Sequence, residues 1–212
     1  MAKIAVIYYS ATGHTFQIAK AYEEGAIAAG AETRLRKVRE LAPDEAIASN
    51  QGWYQHRLET QHVPEATMDD LEWADGYAFG TPTRYGNVSA QLKQFLDTTG
   101  GLWAQGKLAN KAATGFTGAG NAHGGQETTL TTLYNVMCHW GAIVVPAGYT
   151  NQLLFAAGGN PYGVSYTDTG TNPIPGEILT AARYMGQRLT RVAEMIAAGR
   201  ERLAIEMSAA PA

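Results

Sequence analysis

The stretch Lys3-Ile4-Ala5-Val6-Ile7-Tyr8-Tyr9-Ser10-Ala11-Thr12-Gly13-His14-Thr15 decides the fold of this chain. Its first seven residues are apolar enough to form a buried strand, and its last six are mostly small or hydroxyl residues that lead into a helical pattern. The start of a helix has unpaired N–H groups and partial positive charge, and serine and threonine hydroxyls add further donors. The junction therefore predicts a phosphate-binding loop after the first strand.

The composition of this loop narrows the phosphate compound that it can bind. Residues 10–15 contain no lysine or arginine, and they match neither G-x-x-x-x-G-K-[ST] nor G-x-G-x-x-G. Those two patterns are typical of nucleotide and dinucleotide sites. A phosphate held by hydroxyl and amide groups alone favours a monophosphate cofactor, and this points to flavin mononucleotide (FMN).

The bulk properties exclude several classes of protein. With 212 residues and a net charge of −3, we expect one domain over residues 1–205, a frayed tail over 206–212, and no nucleic-acid partner. No apolar run approaches the ~20 residues of a membrane span, and no secretory signal is visible. The single cysteine, Cys138, excludes an internal disulfide and favours a cytoplasmic location, and we expect it to be buried.

Strand and helix patterns alternate along the chain, which predicts an α/β protein with a parallel sheet. We expect strands over 3–9, 32–38, 76–81, 111–117 and 142–147. We expect helices over 15–29, after a cap at Asn87 or Ser89, over 126–140, and from about Ile178 to a stop at Gly199. This order fits a flavodoxin-like doubly wound five-stranded sheet, 2-1-3-4-5, with helices on both faces and the second strand near an edge.

One segment does not fit a plain connection between a strand and a helix. Residues 40–68 are too long for such a loop and combine prolines, a glycine and aromatic side chains. We interpret them as an excursion that packs on the surface or against another subunit.

Three unusual loops follow the first, third and fourth predicted strands. They span residues 10–15, 81–87 and 117–127, and each is rich in glycine or small hydroxyl residues, so that the backbone can approach a ligand closely. In this strand order the winding reverses between the first and third strands, where ligands of such sheets bind. A flavin needs a phosphate cradle, a flat wall and donors to its ring edge, and the three loops together offer this set.

Several longer motifs resemble those of the WrbA family of flavodoxin-like NAD(P)H:quinone oxidoreductases, nearly from end to end. They are Phe79-Gly80-Thr81-Pro82-Thr83-Arg84-Tyr85-Gly86-Asn87, Phe95-Leu96-Asp97-Thr98-Thr99-Gly100-Gly101-Leu102-Trp103, Gly124-Gly125-Gln126-Glu127-Thr128 and Val145-Pro146-Ala147-Gly148-Tyr149. The resemblance implies FMN, two-electron reduction of quinones by NADH or NADPH, and a homotetramer with active sites at subunit interfaces.

The resemblance also implies roles for individual residues. Arg84 and His139 would be catalytic, and Trp103 and Thr12 would contact the substrate. The cofactor-binding set would be Ser10, Ala11, Thr12, Gly13, His14, Thr15, Pro82, Thr83, Arg84, Tyr85, Thr117, Gly118, Ala119, Gly120, Asn121, Gly124 and His139. Two departures stand out: Thr12 occupies a position that is often aromatic in the family, and the loop has Asn-Ala-His at 121–123 where the family has a simpler glycine and threonine run.

Alternatives remain at this point. Trp103 is equally suited to packing in a core or interface, and a structural or capping role is the alternative for His139. A single-electron carrier of flavodoxin type is the competing function, although such carriers are usually strongly acidic. An azo-dye or nitro reductase differs only in its electron acceptor. The five histidines are not spaced as metal ligands, so we expect no metal.

Overall fold

The computed structural model describes residues 1–168 and 173–209, and it alternates strands and helices as the sequence predicts. The strands are β1 (Lys3–Tyr8), β2 (Glu32–Lys37), β3 (Gly76–Pro82), β4 (Ala112–Ala119), β5 (Ile143–Val144) and β6 (Val164–Thr167). The helices are α1 (His14–Ala28), α2 (Asp44–Ala48), α3 (Gln51–Glu59), α4 (Met68–Trp73), α5 (Ala90–Asp97), α6 (Gly100–Ala104), α7 (Gln126–Trp140), α8 (Gln152–Ala156) and α9 (Gly176–Ala209).

The strands form one parallel sheet in the order β2-β1-β3-β4-β5, which confirms the predicted topology. Strand β2 lies at one edge, as its alternating polar residues indicate. Helices cover both faces: α1 and α9 bury one apolar core against the sheet, and α5 and α7 bury the other. Ser89, one of the two expected caps, accepts a hydrogen bond from Leu92 at the start of α5.

The fifth strand position is divided between two short strands, which corrects the prediction of one strand over 142–147. β5 has only two residues and pairs with the amino end of β4, whereas β6 pairs with the carboxyl half of β4. The N–H of Val145 still bonds to Ala113, but Pro146 has no N–H and cannot extend the ladder. The chain therefore leaves the sheet and returns at β6, a strand that the sequence analysis missed.

Helices α1 and α9 pack at close range because a glycine on each helix faces the backbone of the other helix at their crossing. A Cβ atom added to Gly25 would lie 2.0 Å from the carbonyl oxygen of Arg183, and one added to Gly186 would lie 2.1 Å from that of Tyr22. Any larger residue at either position would push the helices apart. This contact supports α1, whose first turn begins at the predicted phosphate loop.

The last helix buries the predicted apolar stripe but does not stop at Gly199, so that predicted end is wrong. Ile178, Ala182, Met185 and Leu189 are all buried, and α9 continues to Ala209. Gly199 is not among the glycines with positive φ, so it forms no left-handed cap, and a helical glycine costs only about 1 kcal/mol relative to alanine. Residues 206–209 of the expected tail belong to α9, and 210–212 lie outside the described residues.

Residues 40–68 leave the sheet after β2 and form α2 and α3 above its carboxyl edge. Lys37, the last residue of β2, anchors the returning chain: its N–H donates to Pro64, and its ammonium group donates to the carbonyl of Thr60 at 2.6 Å. The excursion is therefore fastened close to the end of the sheet at which the predicted loops emerge.

Candidate flavin site

An open cleft of about 310 Å³ lies at the carboxyl edge of the sheet, where the winding reverses. The three predicted loops meet there with two further segments. Its lining consists of Ser10, Ala11, Thr12, His14, Thr15, Asn50, Trp53, Pro82, Thr83, Arg84, Gly118, Ala119, Gly120, Tyr166 and Asp168. The predicted convergence is therefore observed, and the volume lies at the lower end of the range for small-molecule sites.

The loop after β1 presents the start of α1 to the cleft. Gly13 adopts a left-handed conformation with φ of +98°, and its N–H donates to the Ser10 hydroxyl at 3.1 Å. The first turn of α1 contains no acidic residue, and no side chain caps it. The N–H groups of this turn thus remain available to an anion, next to the hydroxyls of Thr12 and Thr15.

The loop after β3 is a tight turn that places Arg84 in the cleft wall. The N–H of Thr83 donates to Gly118 at 2.8 Å, and Arg84 and Asn87 exchange backbone hydrogen bonds. Tyr85 has a φ of +54°, uncommon for a residue with a side chain, and its ring is fully exposed and is not among the residues that line the cleft. The turn is fixed by its backbone, so the guanidinium and the phenol project from a defined support.

The loop after β4 separates the predicted residues into two groups. Gly118, Ala119 and Gly120 line the cleft. The other three predicted residues of this loop, Thr117, Asn121 and Gly124, do not line the cleft. They hold the loop in shape instead. The buried hydroxyl of Thr117 donates to the carbonyl of Thr81 at 2.6 Å, and the carbonyl of Asn121 accepts from the N–H of Gly124.

Four lining residues were missed by the sequence analysis. Asn50 and Trp53 come from the excursion after β2, and Tyr166 and Asp168 come from the end of β6. His14 links this side to the phosphate loop, because its Nδ1 lies 3.7 Å from a carboxylate oxygen of Asp168. The alternating run at 164–168 and an asparagine three residues before Trp53 are signals that could have identified a strand and a helix cap.

A hydrogen-bonded carboxylate holds Trp53 at the cleft wall. Glu40 accepts from the indole N–H of Trp53 at 3.1 Å, from the Tyr9 hydroxyl at 2.9 Å and from the Gln91 amide at 2.8 Å. Trp53 and Tyr9 donate to Oε2, whereas Gln91 donates to Oε1, which also accepts from the N–H groups of Leu41 and Ala42. Burial alone raises the pKa of Glu40, but the hydrogen bonds outweigh it and hold this pKa below its ordinary value.

A buried histidine from α3 packs against the phosphate loop. The nearest atom to a Cβ added at Gly13 would be Nδ1 of His56, at 3.4 Å, and the His56 ring lies 5.4 Å from that of Phe16. Burial, together with the positive charges of Lys37 and His14, lowers the pKa of His56 to about 4. His56 is therefore neutral at pH 7 and acts as a packed ring beside the loop.

Trp103 and His139 lie outside the cleft of their own chain. His139 is exposed near the end of α7 remote from the cleft, roughly 20 Å along the helix from its first residue. The Trp103 indole donates to the His139 carbonyl at 3.0 Å, and the Trp103 side chain is 57% exposed. Cys138 is exposed beside them, so its predicted burial is wrong: it falls off the apolar stripe of α7 that includes Leu133 and Met137.

The described part of the chain holds neither a membrane-spanning helix nor a metal-binding cluster. None of its helices has the length and apolar character needed to cross a bilayer. No group of three histidine, cysteine or acidic side chains that could hold a metal ion occurs within residues 1–168 and 173–209.

Comparison with known proteins assigns the family. Residues 2–152 match the family model of the NADPH-dependent FMN reductases. A relative from Deinococcus radiodurans, named NAD(P)H dehydrogenase (quinone), is 49% identical over 168 residues, which cover 79% of this chain and 84% of the relative. The chain therefore belongs to the NADPH-dependent FMN reductase family. A second relative with that name, from Paracoccus denitrificans, is 41% identical over 210 residues and covers 95% of this chain and 99% of its own.

Solved structures agree with this assignment to the FMN reductase family. A WrbA-like flavodoxin from Agrobacterium tumefaciens superposes with a TM-score of 0.66 at 26% identity, over 92% of this chain and 99% of that chain. The resemblance to WrbA proteins is thus confirmed. Flavodoxin 2 from Bacillus cereus superposes with a TM-score of 0.60 at 17% identity, which shows the shared fold alone.

The donor set of the cleft fits the FMN of this family. An uncapped helix start without an acidic residue is suited to a phosphate, and Ser10, Thr12 and Thr15 add hydroxyl donors. The backbone at 118–120 carries small side chains or none, so a flat ring can approach it. Arg84 supplies a cation at the same wall.

Proposed function

We propose that this chain is an FMN-dependent oxidoreductase that transfers two electrons from NADH or NADPH to quinones by a ping-pong relay. The observation that carries the proposal is one open cleft that joins an uncapped helix N-terminus to the loops at the ends of β3 and β4. When bound, FMN supplies the redox chemistry, and the protein supplies position and electrostatics. The family match and the names of the curated relatives support the same activity.

The phosphate loop would hold the cofactor. The hydroxyls of Ser10, Thr12 and Thr15 and the free N–H groups of the first turn of α1 would bind the phosphate dianion. His14 would contribute its backbone N–H, while its ring faces Asp168. Charge-assisted hydrogen bonds of this kind are strong, so a cradle without a cation can still retain a monophosphate.

Arg84 and Tyr85 would act at the ring of the cofactor. The Arg84 guanidinium lies in the cleft wall and favours negative charge developing at the edge of the ring. Tyr85 follows Arg84 on the same tight turn and is fully exposed, and its ring would pack against a planar ligand. The cleft is open on one side, so nicotinamide and quinone would occupy the same face in turn, which is the condition for a ping-pong relay.

Trp103 and His139 would serve the cleft of a neighbouring subunit. Both are exposed and hydrogen-bonded to each other, yet neither reaches the cleft of its own chain. A homotetramer that brings this corner over a neighbouring cleft would let Trp103 cover the substrate and let His139 donate a proton or hydrogen bond to the quinone. A cytoplasmic enzyme suits the single exposed Cys138, which a reducing compartment keeps as a thiol.

The test is anaerobic turnover of the purified protein. We expect the absorbance of oxidised flavin, its bleaching by NADH or NADPH, and recovery on addition of benzoquinone. Parallel lines in double-reciprocal plots would support the ping-pong order. Arg84→Ala should lower kcat with benzoquinone, whereas Arg191→Ala, an exposed arginine on α9, should not.

Four outcomes would contradict parts of this proposal. A protein that does not bind FMN has a different function. Bound FMN without quinone turnover favours a single-electron carrier. Faster turnover with azo or nitro compounds than with quinones reassigns the acceptor. A monomer in light scattering would remove the roles given to Trp103 and His139.

A further inference from the structure

A second cavity of about 260 Å³ adjoins the flavin cleft on the side of β2. It lies between the carboxyl ends of β1 and β2 and the excursion that carries α2 and α3. Ser10 and Trp53 line both cavities. The two cavities are therefore neighbours, and an extended dinucleotide that passes the Trp53 indole would reach both.

Aromatic surface in the second cavity is held in a fixed orientation. The indole of Trp53 and the phenol of Tyr9 both donate to the Glu40 carboxylate, at 3.1 Å and 2.9 Å. Because Glu40 also accepts three other hydrogen bonds, these two rings are tied to one rigid centre. Oriented aromatic rings are suited to stacking on a planar base.

The charged residues of this cavity leave one cation without a partner. Asp44 pairs with Arg57 at 2.6 Å, and Glu40 is satisfied by its five donors. The ammonium group of Lys37 is bound to a backbone carbonyl and is also attracted by Glu65, the remaining carboxylate of the lining. Arg39 lines the cavity and is exposed, and within the described residues it makes no hydrogen bond or ion pair.

The position and chemistry of this cation indicate an anionic ligand. Arg39 lies two residues beyond β2, at the edge of the sheet where ligands of doubly wound proteins bind. A guanidinium group binds phosphate oxygens in pairs and remains charged at every physiological pH. A base-stacking surface next to an unpaired arginine is the combination that a nucleoside phosphate requires.

We propose that the second cavity binds the adenosine 2′-phosphate half of NADPH, with Trp53 against the adenine end and Arg39 on the 2′-phosphate. The proposal rests on the proposed function, since it supposes that the nicotinamide half enters the flavin cleft. Arg39 then distinguishes NADPH from NADH, because only NADPH carries the phosphate that the guanidinium binds.

Equilibrium binding tests this subsite without turnover. The FMN-loaded protein is titrated with 2′,5′-ADP, which carries the same 2′-phosphate, in a calorimeter. We expect binding that Arg39→Ala weakens about tenfold or more, because a charge-assisted bond to phosphate is lost. Arg191→Ala, which removes an exposed arginine on α9, should leave the dissociation constant unchanged.

Steady-state kinetics provide a second test of the Arg39 subsite. In Arg39→Ala we expect the KM for NADPH to rise about tenfold, while kcat and the KM for NADH stay at their wild-type values. Failure of 2′,5′-ADP to bind the wild type, or equal binding by Arg39→Ala, overturns the proposal. Loss of FMN from Arg39→Ala also overturns it and assigns the cavity to the flavin.

The two proposals fail separately. A protein that binds 2′,5′-ADP through Arg39 but reduces no quinone retains the subsite and loses the proposed function. A protein that reduces quinones equally well with NADH and NADPH, in wild type and Arg39→Ala alike, keeps the function and loses the subsite.

Discussion

The flavin cleft has two walls that are built in different ways. The loop wall comes from residues 10–15, 82–84 and 118–120, which lie at the carboxyl ends of β1, β3 and β4 or just beyond them. The second wall, called the excursion wall, has two parts. Asn50 and Trp53 come from the excursion, and Tyr166 and Asp168 come from the end of β6. The loop wall presents mainly backbone and hydroxyl groups, whereas the excursion wall presents side chains held by contacts far apart in sequence.

This difference teaches where binding energy and selectivity are expected to reside. Backbone groups of the loop wall are placed by the strands themselves, so they suit a cofactor that is always the same. The Trp53 side chain depends on Glu40, which is 13 residues away, and Glu40 in turn is bonded to Gln91 at a separation of 51 residues. Such a wall can change between relatives without disturbing the sheet, which suits a substrate-facing surface.

The largest effect is expected from removing hydroxyls of the loop wall. In Ser10→Ala with Thr15→Val, the dissociation constant of FMN should rise about a hundredfold or more, because each bond to a charged phosphate contributes about 1.5–3 kcal/mol. Flavin fluorescence titration measures it. The matched control, Thr98→Ala with Thr131→Val, removes two hydroxyls that line neither the cleft nor the second cavity and should bind FMN normally. Unchanged affinity in the first variant would show that the phosphate binds elsewhere.

The next effect tests the support beneath the loop wall. Gly186→Ala places a Cβ 2.1 Å from a backbone oxygen of α1, and we expect a loss of about 2–3 kcal/mol in the free energy of unfolding. Gly199→Ala is the control in the same helix: its Cβ meets open space, so it should be neutral or slightly stabilising. Urea denaturation compares the two. Equal stability of both variants would show that the crossing is not tightly packed.

We expect the free energy of unfolding to depend on pH through His56, which lies on α3 of the excursion. Because the pKa of His56 falls from 6.5 to about 4 on folding, only the unfolded chain binds this proton between those values. Stability due to neutral His56 is thus complete above pH 6.5 and decreases as the pH falls. Linkage at about 1.36 kcal/mol per pH unit gives a decrease of about 1–2 kcal/mol between pH 6.5 and 5.

Urea unfolding at several pH values measures this dependence. His56→Phe keeps a ring beside Phe16 and should show a flatter profile over the same range. His62→Phe, which removes an exposed histidine of the same excursion, should keep the wild-type slope. A slope that is identical in the wild type and His56→Phe would rule out His56 as its source.

The smallest effect is expected at the start of α3. Asn50 caps this helix by accepting from the N–H of Trp53 at 3.1 Å, and Asn50→Ala should cost about 0.5–1 kcal/mol. The affinity for FMN should fall only a few fold, far less than in the loop-wall double variant. Asn50→Ser retains a capping oxygen without adding negative charge to the cleft, and it should restore both stability and affinity. A loss of affinity comparable to that of the double variant would remove the distinction between the walls.

Most of the sheet was predictable because its signals are local. Helix α7 begins and ends at the predicted residues, and the strand order follows from the alternation of apolar strands with crossover helices. The divided fifth position was missed because the pattern at 142–147 looks like one strand, although Pro146 interrupts its ladder. The Gly199 stop was wrong because glycine ends a helix only when its backbone adopts the cap conformation.

Most of the cleft lining was predictable from the sequence, for the same reason. The loop wall was found because glycine and hydroxyl residues mark close backbone approach to a ligand. Trp53 and Asp168 were missed because nothing adjacent to them in sequence indicates a ligand, and long-range bonds bring them to the cleft. Trp103 and His139 are adjacent to each other but not to the cleft, which no periodicity could predict.

The amino-acid order alone specified the parallel sheet, the edge at which ligands bind and the phosphate-binding character of residues 10–15. These follow from periodicity, helix capping and the direction of strands, which all act over a few residues. Only the tertiary structure decided which side chains close the cleft, that Glu40 fixes Trp53, and that a second cavity with an unpaired Arg39 adjoins it. The physical reason is that these contacts join segments whose meeting depends on the packing of the whole chain.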